Sequence, residues 1–288
     1  VMAFGLPDTP RSTSSRSIRG AFSPAVGALV SAYDLRGEGR WPSEAERNRG
    51  VSLADPDGVR YDPATRTLVL AKGVTLDLDG IAKGFALDRA AAALRARGVE
   101  DALLNFGGQL LALGPPAERP PREAIVASPS DPAVPVLSVP LRNASLSTSA
   151  SSERRRTVAG REAGHLLDPR TGTLVTLTGS VSVLASDGAT ADALSTAWAV
   201  EGPDGYRRSE PGSAVRRAGA VAFAVPARRG GCETLTDRPF ERLRPPAPSR
   251  PHRRPALRHP GGRAGAAPRR RGLGPPVQLH QRRREHGG

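Results

Sequence analysis

From Ile81 to Arg97 apolar side chains recur at helical spacing, at Ile81, Phe85, Ala86, Ala90, Ala93 and Leu94, and Gly98 follows where a helix would stop. This predicts one helix. A second is predicted from about Thr190 to Val200, ending before Gly202-Pro203, and a third at Ser209–Ala218. Short β-rich runs surround them. Val59–Tyr61, Leu68–Ala71 and Thr75–Leu78 read as a meander turned at Asp62–Thr65 and at Lys72-Gly73. Leu103–Phe106 and Gln109–Leu113 flank Gly107-Gly108 as a hairpin. Ala124–Ala127, Val136–Val139, Ser145–Ser149, Ser180–Ala185 and Ala220–Val225 add further strands. Runs of strands interleaved with a few helices predict an α+β class with mixed or antiparallel sheets.

Length and composition change this picture little. The 288 residues, 38% of them hydrophobic, suffice for a real core, and a single cysteine, Cys232, excludes an internal disulfide framework or a cysteine-based metal cluster. No run approaches a membrane span of about 18 apolar residues. The net charge of +14 invites a nucleic-acid reading until its location is considered. Residues 244–288 carry 12 arginines against one acid, Glu285, whereas residues 1–243 carry 30 Lys+Arg against 27 Asp+Glu. The basicity belongs to the tail. Domains are therefore expected at 1–243 and 244–288. The tail's nine prolines and scarcity of large apolar residues predict disorder, with a polyanion-binding arm or sequence foreign to the fold as the other readings.

Three places hold candidate chemistry. At Leu76–Gly84 an extended run passes through Gly80 into a helix, where unpaired N–H groups can receive an anion and Lys83 can meet a phosphate oxygen. The plainer reading of Lys83 is a solvated side chain. Asp192 and Thr196, four apart on a helix, put a carboxylate and a hydroxyl on one face, a pair suited to an oxygen-preferring cation such as Mg²⁺ but frequent by chance. His165, the one histidine outside the tail, precedes an Asp-Pro turn at Asp168-Pro169 and is either a structural hydrogen bonder or a general base. The serine-rich run Ser145–Ser152 lacks the elbow motif of a hydrolase nucleophile.

Taken in order, these segments resemble the ApbE family of FAD:protein FMN transferases. Asp77–Gly84 and the following helix resemble the family's D-L-G-G-I-A-K-G segment, and Asn105–Gly108 its N-x-G-G. Thr148-Ser149-Ala150 with Glu153-Arg154, His165–Gly172, and Ala191–Thr196 resemble its T-S-A/E-R, H-x-I-D-P-x-T-G and A-D-A-x-x-T motifs. Coverage runs from the opening residues to about Leu243, where Phe240–Leu243 resembles a final strand, while the family's first strand is absent from this chain.

The resemblance implies a T-fold-related domain and an Mg²⁺-dependent enzyme. It would cleave FAD, attach FMN to a Thr or Ser hydroxyl of an acceptor protein, and release AMP. It implies a metal held by Gly80, Asp192 and Thr196, with Phe4, Ala21, Phe22, Ser23, Asp77, Lys83 and Leu167 lining the FAD site and His165 as base or positioner. Asp192 is expected to be an exposed site carboxylate. Asp79, Ser23 and Gln109 depart from the family's usual residues. Acceptors of the Nqr or Rnf type, and a periplasmic, lipid-anchored or cytoplasmic setting, come from the resemblance alone. Alternatives are an FAD pyrophosphatase giving FMN and AMP, a non-catalytic flavin-binding remnant, and a nucleic-acid binder acting through the tail. The near-neutral body and few aromatics argue against nucleic acid.

Overall fold

In the computed structural model of this chain the described residues are 20–62, 64–114, 119–150, 156–158, 161–175, 177, 179–202, 220–225 and 233–234. The chain divides into units Val1–Pro245 and Pro246–Gly288, and every described residue lies in the first. Phe4, the Glu153-Arg154 pair, the helix expected at Ser209–Ala218, the Phe240–Leu243 strand and the tail lie outside the described residues.

The helices are α1 (Gly27–Ala32), α2 (Glu44–Leu53), α3 (Ala82–Arg95) and α4 (Gly188–Glu201). The strands are β1 (Val59–Asp62), β2 (Thr67–Leu70), β3 (Ala102–Phe106), β4 (Gln109–Leu113), β5 (Arg122–Ser128), β6 (Asp131–Leu141) and β7 (Ala144–Ala150). After them come β8 (Arg156–Val158), β9 (Arg161–Ala163), β10 (Leu167–Asp168), β11 (Thr173–Leu174), β12 (Ser180–Ala185), β13 (Val221–Val225) and β14 (Glu233–Thr234). A five-stranded sheet runs β13-β12-β7-β4-β3 and a three-stranded sheet β14-β6-β5; every pairing is antiparallel except β14 with β6. Among the described residues no helix is long and apolar enough to cross a membrane.

Alternation along the strands builds two layers on the large sheet. Val181, Val183 and Ala185 of β12 face α4 in one cluster with Ala191, Leu194, Ala197 and Trp198. Leu184, Leu146 and Ala112 point the other way and meet Val126, Val139 and Leu141 of the smaller sheet. Leu111 and Leu113 of β4 pack on Leu87 and Ala91 of α3. The central helix α4 buries ten of its 14 residues, Asp192 and Ser195 among them, so it is an interior helix.

One expectation needs correction. Thr75–Leu78 is not a strand: it makes a single parallel bridge, Val26 to Thr75, and then turns, because the Asp77 carboxylate accepts the Asp79 N–H at 3.0 Å. On α3 the buried positions are Gly84, Leu87 and Ala91, whereas Ala86, Ala90 and Ala93 are exposed. Alanines on every side of this helix give little contrast, and the close approach at Gly84 chooses the face.

The pattern of apolar residues did not predict α2, which is mostly polar. It starts at a capping box in which Ser43 Oγ accepts the Glu46 N–H and Glu46 accepts the Ser43 N–H. The Arg40 guanidinium and the Ser43 groups hold the Glu46 carboxyl down at about 2. A lowered folded-state value stabilises above the unfolded carboxylate range, and that contribution is lost as pH falls toward 2. Because the pair is solvent-exposed the effect is small. In acid titration followed by circular dichroism, Glu46→Gln is expected to flatten this part of the acid limb and leave stability above pH 5 little changed.

Candidate active site

The site forms where the N-terminal turn of α3 meets the first two turns of α4. The two backbones touch. A Cβ built on Gly84 would lie 2.0 Å from the Gly188 carbonyl oxygen, and one on Gly188 would lie 2.4 Å from the Gly84 carbonyl oxygen. Only glycine at both positions permits this approach, and it brings Asp192, one turn into α4, against the start of α3. Asp192 is 2% exposed, which corrects the expectation of an exposed carboxylate. One of its oxygens accepts the Gly84 N–H at 3.1 Å, and the other accepts from Lys83 Nζ at 3.1 Å and from Ser147 Oγ at 3.4 Å. A buried carboxylate requires such compensation, and here it comes from a helix N-terminus, an ammonium and a hydroxyl.

Ser147 belongs to a polar row that the sequence reading left unassigned. Period two along β7 turns Ser145, Ser147 and Ser149 toward the helices. Ser145 accepts from Gln109 Nε2 at 3.2 Å, while Ser147 and Ser149 lie 3.1 and 3.0 Å from Ser195 Oγ, which itself donates to the Asp192 carbonyl at 2.9 Å. These serines support the base of the site.

Thr196 lies one turn beyond Asp192, against Gly80. A Cβ on Gly80 would come within 3.1 Å of Thr196 Oγ1 and 3.0 Å of Phe22 Cε2, so the loop backbone sits in a cradle that any side chain would fill. The structure therefore brings Gly80, Lys83, Asp192 and Thr196 together, with Phe22 at the edge. Ala21 is buried in the α4 cluster, and Ser23 is 4% exposed with its hydroxyl donating to the Ala54 carbonyl at 2.6 Å and accepting the Ala25 N–H at 3.1 Å. The segment Ala21–Gly27 runs beside Thr75–Asp77, joined by Asp77 N–H to the Pro24 carbonyl at 2.8 Å and Gly27 N–H to the Thr75 carbonyl at 3.1 Å.

Asp77 meets a residue the sequence did not nominate. Arg36 donates to its carboxylate at 2.6 Å and lies 3.5 Å from Asp79, and the two carboxylates raise the guanidinium's pKa. The excess acid introduced by Asp79 is thus balanced by a cation. Beside this pair lies a shallow cavity of about 270 Å³ whose wall includes Ser31, Asp34, Thr75 and Leu76. Leu167 is 8% exposed, packs with Leu29, Tyr33 and Ala54, and pairs with Leu174 across β10 and β11. His165, half-buried, lies on the bend two residues before it; the intervening Leu166 packs in the α4 cluster beside Phe22.

The donor set fits a hard divalent cation: a carboxylate oxygen of Asp192, the Thr196 hydroxyl and the Gly80 carbonyl, all oxygens, on elements held in contact. Among the described residues no group of three or more His, Cys, Asp or Glu side chains could hold a metal, so this donor set rests on one carboxylate with a hydroxyl and a carbonyl oxygen.

A model of the ApbE family matches residues 12–211. The FAD:protein FMN transferase of Rhodobacter capsulatus is 37% identical over 227 residues, 75% of this chain and 43% of that protein. The enzyme of the same name from Klebsiella pneumoniae strain 342 is 32% identical over 182 residues, 61% of this chain and 55% of its own length. The chain thus spans about half the length of these curated relatives. The crystal structure of the ApbE protein of Thermotoga maritima superposes with a TM-score of 0.65 at 31% identity, over 74% of this chain and 69% of that one. The apo flavinyl transferase ApbE of Pseudomonas stutzeri gives 0.63 at 29%, over 80% and 71%. By the extent of these matches, and with an α+β fold of mixed and antiparallel sheets in common, this chain belongs to the ApbE family.

Proposed function

We propose that this chain transfers FMN from FAD to a Thr or Ser hydroxyl of an acceptor protein and releases AMP, with Mg²⁺ as its metal. The observation that carries the reading is the junction of α3 and α4, where Asp192 is buried against Lys83 and the Gly84 N–H while Thr196 lies against Gly80. The names of the relatives point the same way. Residues 1–243 form the catalytic domain in this proposal, and the Arg- and Pro-rich residues 244–288 take no part in it. Redox subunits of the Nqr or Rnf type are the acceptor class the family suggests.

The chemistry asks these residues for three things. Asp192, Thr196 and the Gly80 carbonyl would hold Mg²⁺, which supplies charge neutralisation at the diphosphate. Lys83 would receive a phosphate oxygen beside the positive end of α3, whose Ala82 and Gly84 N–H groups are already bonded to the Leu78 carbonyl and to Asp192. Phe22 and the Ala21–Ser23 backbone, with Asp77 and Leu167, would orient the rest of the dinucleotide, and Phe4 would add an aromatic face. The acceptor oxygen then forms a bond to the FMN phosphorus as the bond from that phosphorus to the bridging oxygen breaks, and AMP carries that oxygen away. The hydroxyl proton would pass to His165.

Incubation with FAD, Mg²⁺ and a peptide bearing a flavinylation threonine tests this directly. The expected result is one FMN bound covalently per peptide and one AMP released. Free FMN and AMP with an unlabelled peptide would assign the pyrophosphatase reading instead, and FAD binding without AMP under any divalent metal would leave only a binding protein.

Lys83 permits a narrower prediction. Its side chain is about one-third exposed, and Asp192 keeps the Gly84 N–H and Ser147 without it. Lys83→Met is therefore expected to fold. It should weaken FAD binding ten- to hundredfold, the loss of one hydrogen bond to a charged group. Unchanged affinity in fluorescence titration would remove Lys83 from the diphosphate site.

A further inference from the structure

The metal site in the proposed function depends on two helices from distant parts of the chain meeting in one register. Asp88, on α3, fixes that register through contacts no motif describes. Its carboxylate reaches across to the N-terminus of α4, accepting the Gly188 N–H at 2.6 Å with one oxygen and the Ala189 N–H at 2.9 Å with the other. In the opposite direction, Asp192 of α4 accepts the Gly84 N–H of α3. Each helix thus gives a carboxylate to the other's N-terminal amides, on either side of the Gly84–Gly188 contact. Gln109 completes the clasp by donating Nε2 to the Gly188 carbonyl at 2.9 Å, so both polar groups of that peptide region are held from outside α4.

We propose that Asp88 is a positioning residue for the metal site: by binding the Gly188 and Ala189 amides it sets where Asp192 and Thr196 stand relative to Gly80 and Lys83. This rests on the functional reading above. Asp88 touches none of the proposed ligands itself. Its effect travels through the first turn of α4, four residues before Asp192.

The helix supplies its own control. Asp187, the N-cap of α4, accepts the Thr190 N–H at 2.8 Å within the same helix, and toward Asp88 of α3 it acts only as a repelling charge. Removing either aspartate weakens the start of α4, but only Asp88 links it to the other half of the site. Mn²⁺ binding, followed by the loss of the free-ion electron paramagnetic resonance signal, separates positioning from stability. For Asp88→Asn, whose amide can accept only one of the two N–H groups, the Mn²⁺ dissociation constant is expected to rise about tenfold, the low end of the effect of a lost outer partner. For Asp187→Ala it should rise less than twofold although the melting temperature falls comparably. Asp88→Glu, which keeps two acceptor oxygens and the charge, should recover most of the affinity, and it decides the matter if Asp88→Asn does not fold. Equal Mn²⁺ affinity in wild type and Asp88→Asn, or equal weakening in the Asp88 and Asp187 variants, overturns the assignment. Wild-type protein that binds no Mn²⁺, with or without FAD, instead rejects the metal site itself.

Discussion

Asp192→Asn is expected to lower Mg²⁺-dependent AMP release from FAD by at least about a hundredfold, because the site loses its one ionised ligand and with it the charge that holds a hard cation at the diphosphate. The substitution keeps the volume of the side chain, so the loss is chemical. It also has a structural cost. Both oxygens of Asp192 act as acceptors, toward Lys83, Ser147 and the Gly84 N–H. An amide can satisfy one set and must turn its NH₂ toward another donor. Leaving a buried N–H or ammonium so opposed costs about 1–3 kcal/mol, and a lower melting temperature should accompany the activity loss. Adding FAD and excess Mg²⁺ should raise the melting temperature of wild type and not that of the variant, since only a bound ligand shifts the folding equilibrium. Wild-type AMP release in Asp192→Asn at the same metal concentration would place the metal elsewhere.

That double role explains what the sequence could and could not convey. The apolar runs and turn residues located β3, β4, β12 and α4 closely: Gly107-Gly108 turns β3 into β4, and β12 is an unbroken buried run. The serines of β7 were legible as a strand, Ser145–Ser149, but not as a buried row. Their meaning came from alternation, which turns Ser145, Ser147 and Ser149 inward together, and from what lies opposite them. For α2 the local signal was present, Ser43 three residues before Glu46, but its stripe of apolar residues is too sparse to announce a helix. Asp88 and Arg36 had no local signal. Their partners lie 100 and 41 residues away, at Gly188 and Asp77, and only the folded chain brings them together. The motif residues Gly80, Lys83, Asp192 and Thr196 were legible through the family resemblance. Their burial was not, because an aspartate on an interior helix looks the same in sequence as one on a surface.

The largest effect on folding is expected at Gly84. An added methyl would sit 2.0 Å from the Gly188 carbonyl oxygen, 2.3 Å from its carbonyl carbon and 2.7 Å from the Ala189 nitrogen. All three are backbone atoms of a helix packed on β7 and β12, so no rotamer change relieves the overlap. The helices must part. Separation lengthens the Gly84 N–H contact to Asp192 and the two amide contacts to Asp88, so the clasp fails as a unit. Overpacking of this kind costs roughly 3 kcal/mol or more for Gly84→Ala, read as a shift in urea midpoint. Two other glycines bracket the mechanism. At Gly98, with φ +79° and nothing within 4 Å of an added Cβ, alanine meets only the left-handed backbone penalty of about 1–2 kcal/mol. At Gly80 the neighbours are the Phe22 ring and the Thr196 side chain at 3.0–3.2 Å, which can give way. Gly80→Ala should therefore fold, yet bind Mn²⁺ less tightly because Thr196 is pushed aside. If Gly84→Ala proves no less stable than Gly98→Ala, the two helices do not touch at their backbones and Asp192 is not held where the proposed chemistry needs it.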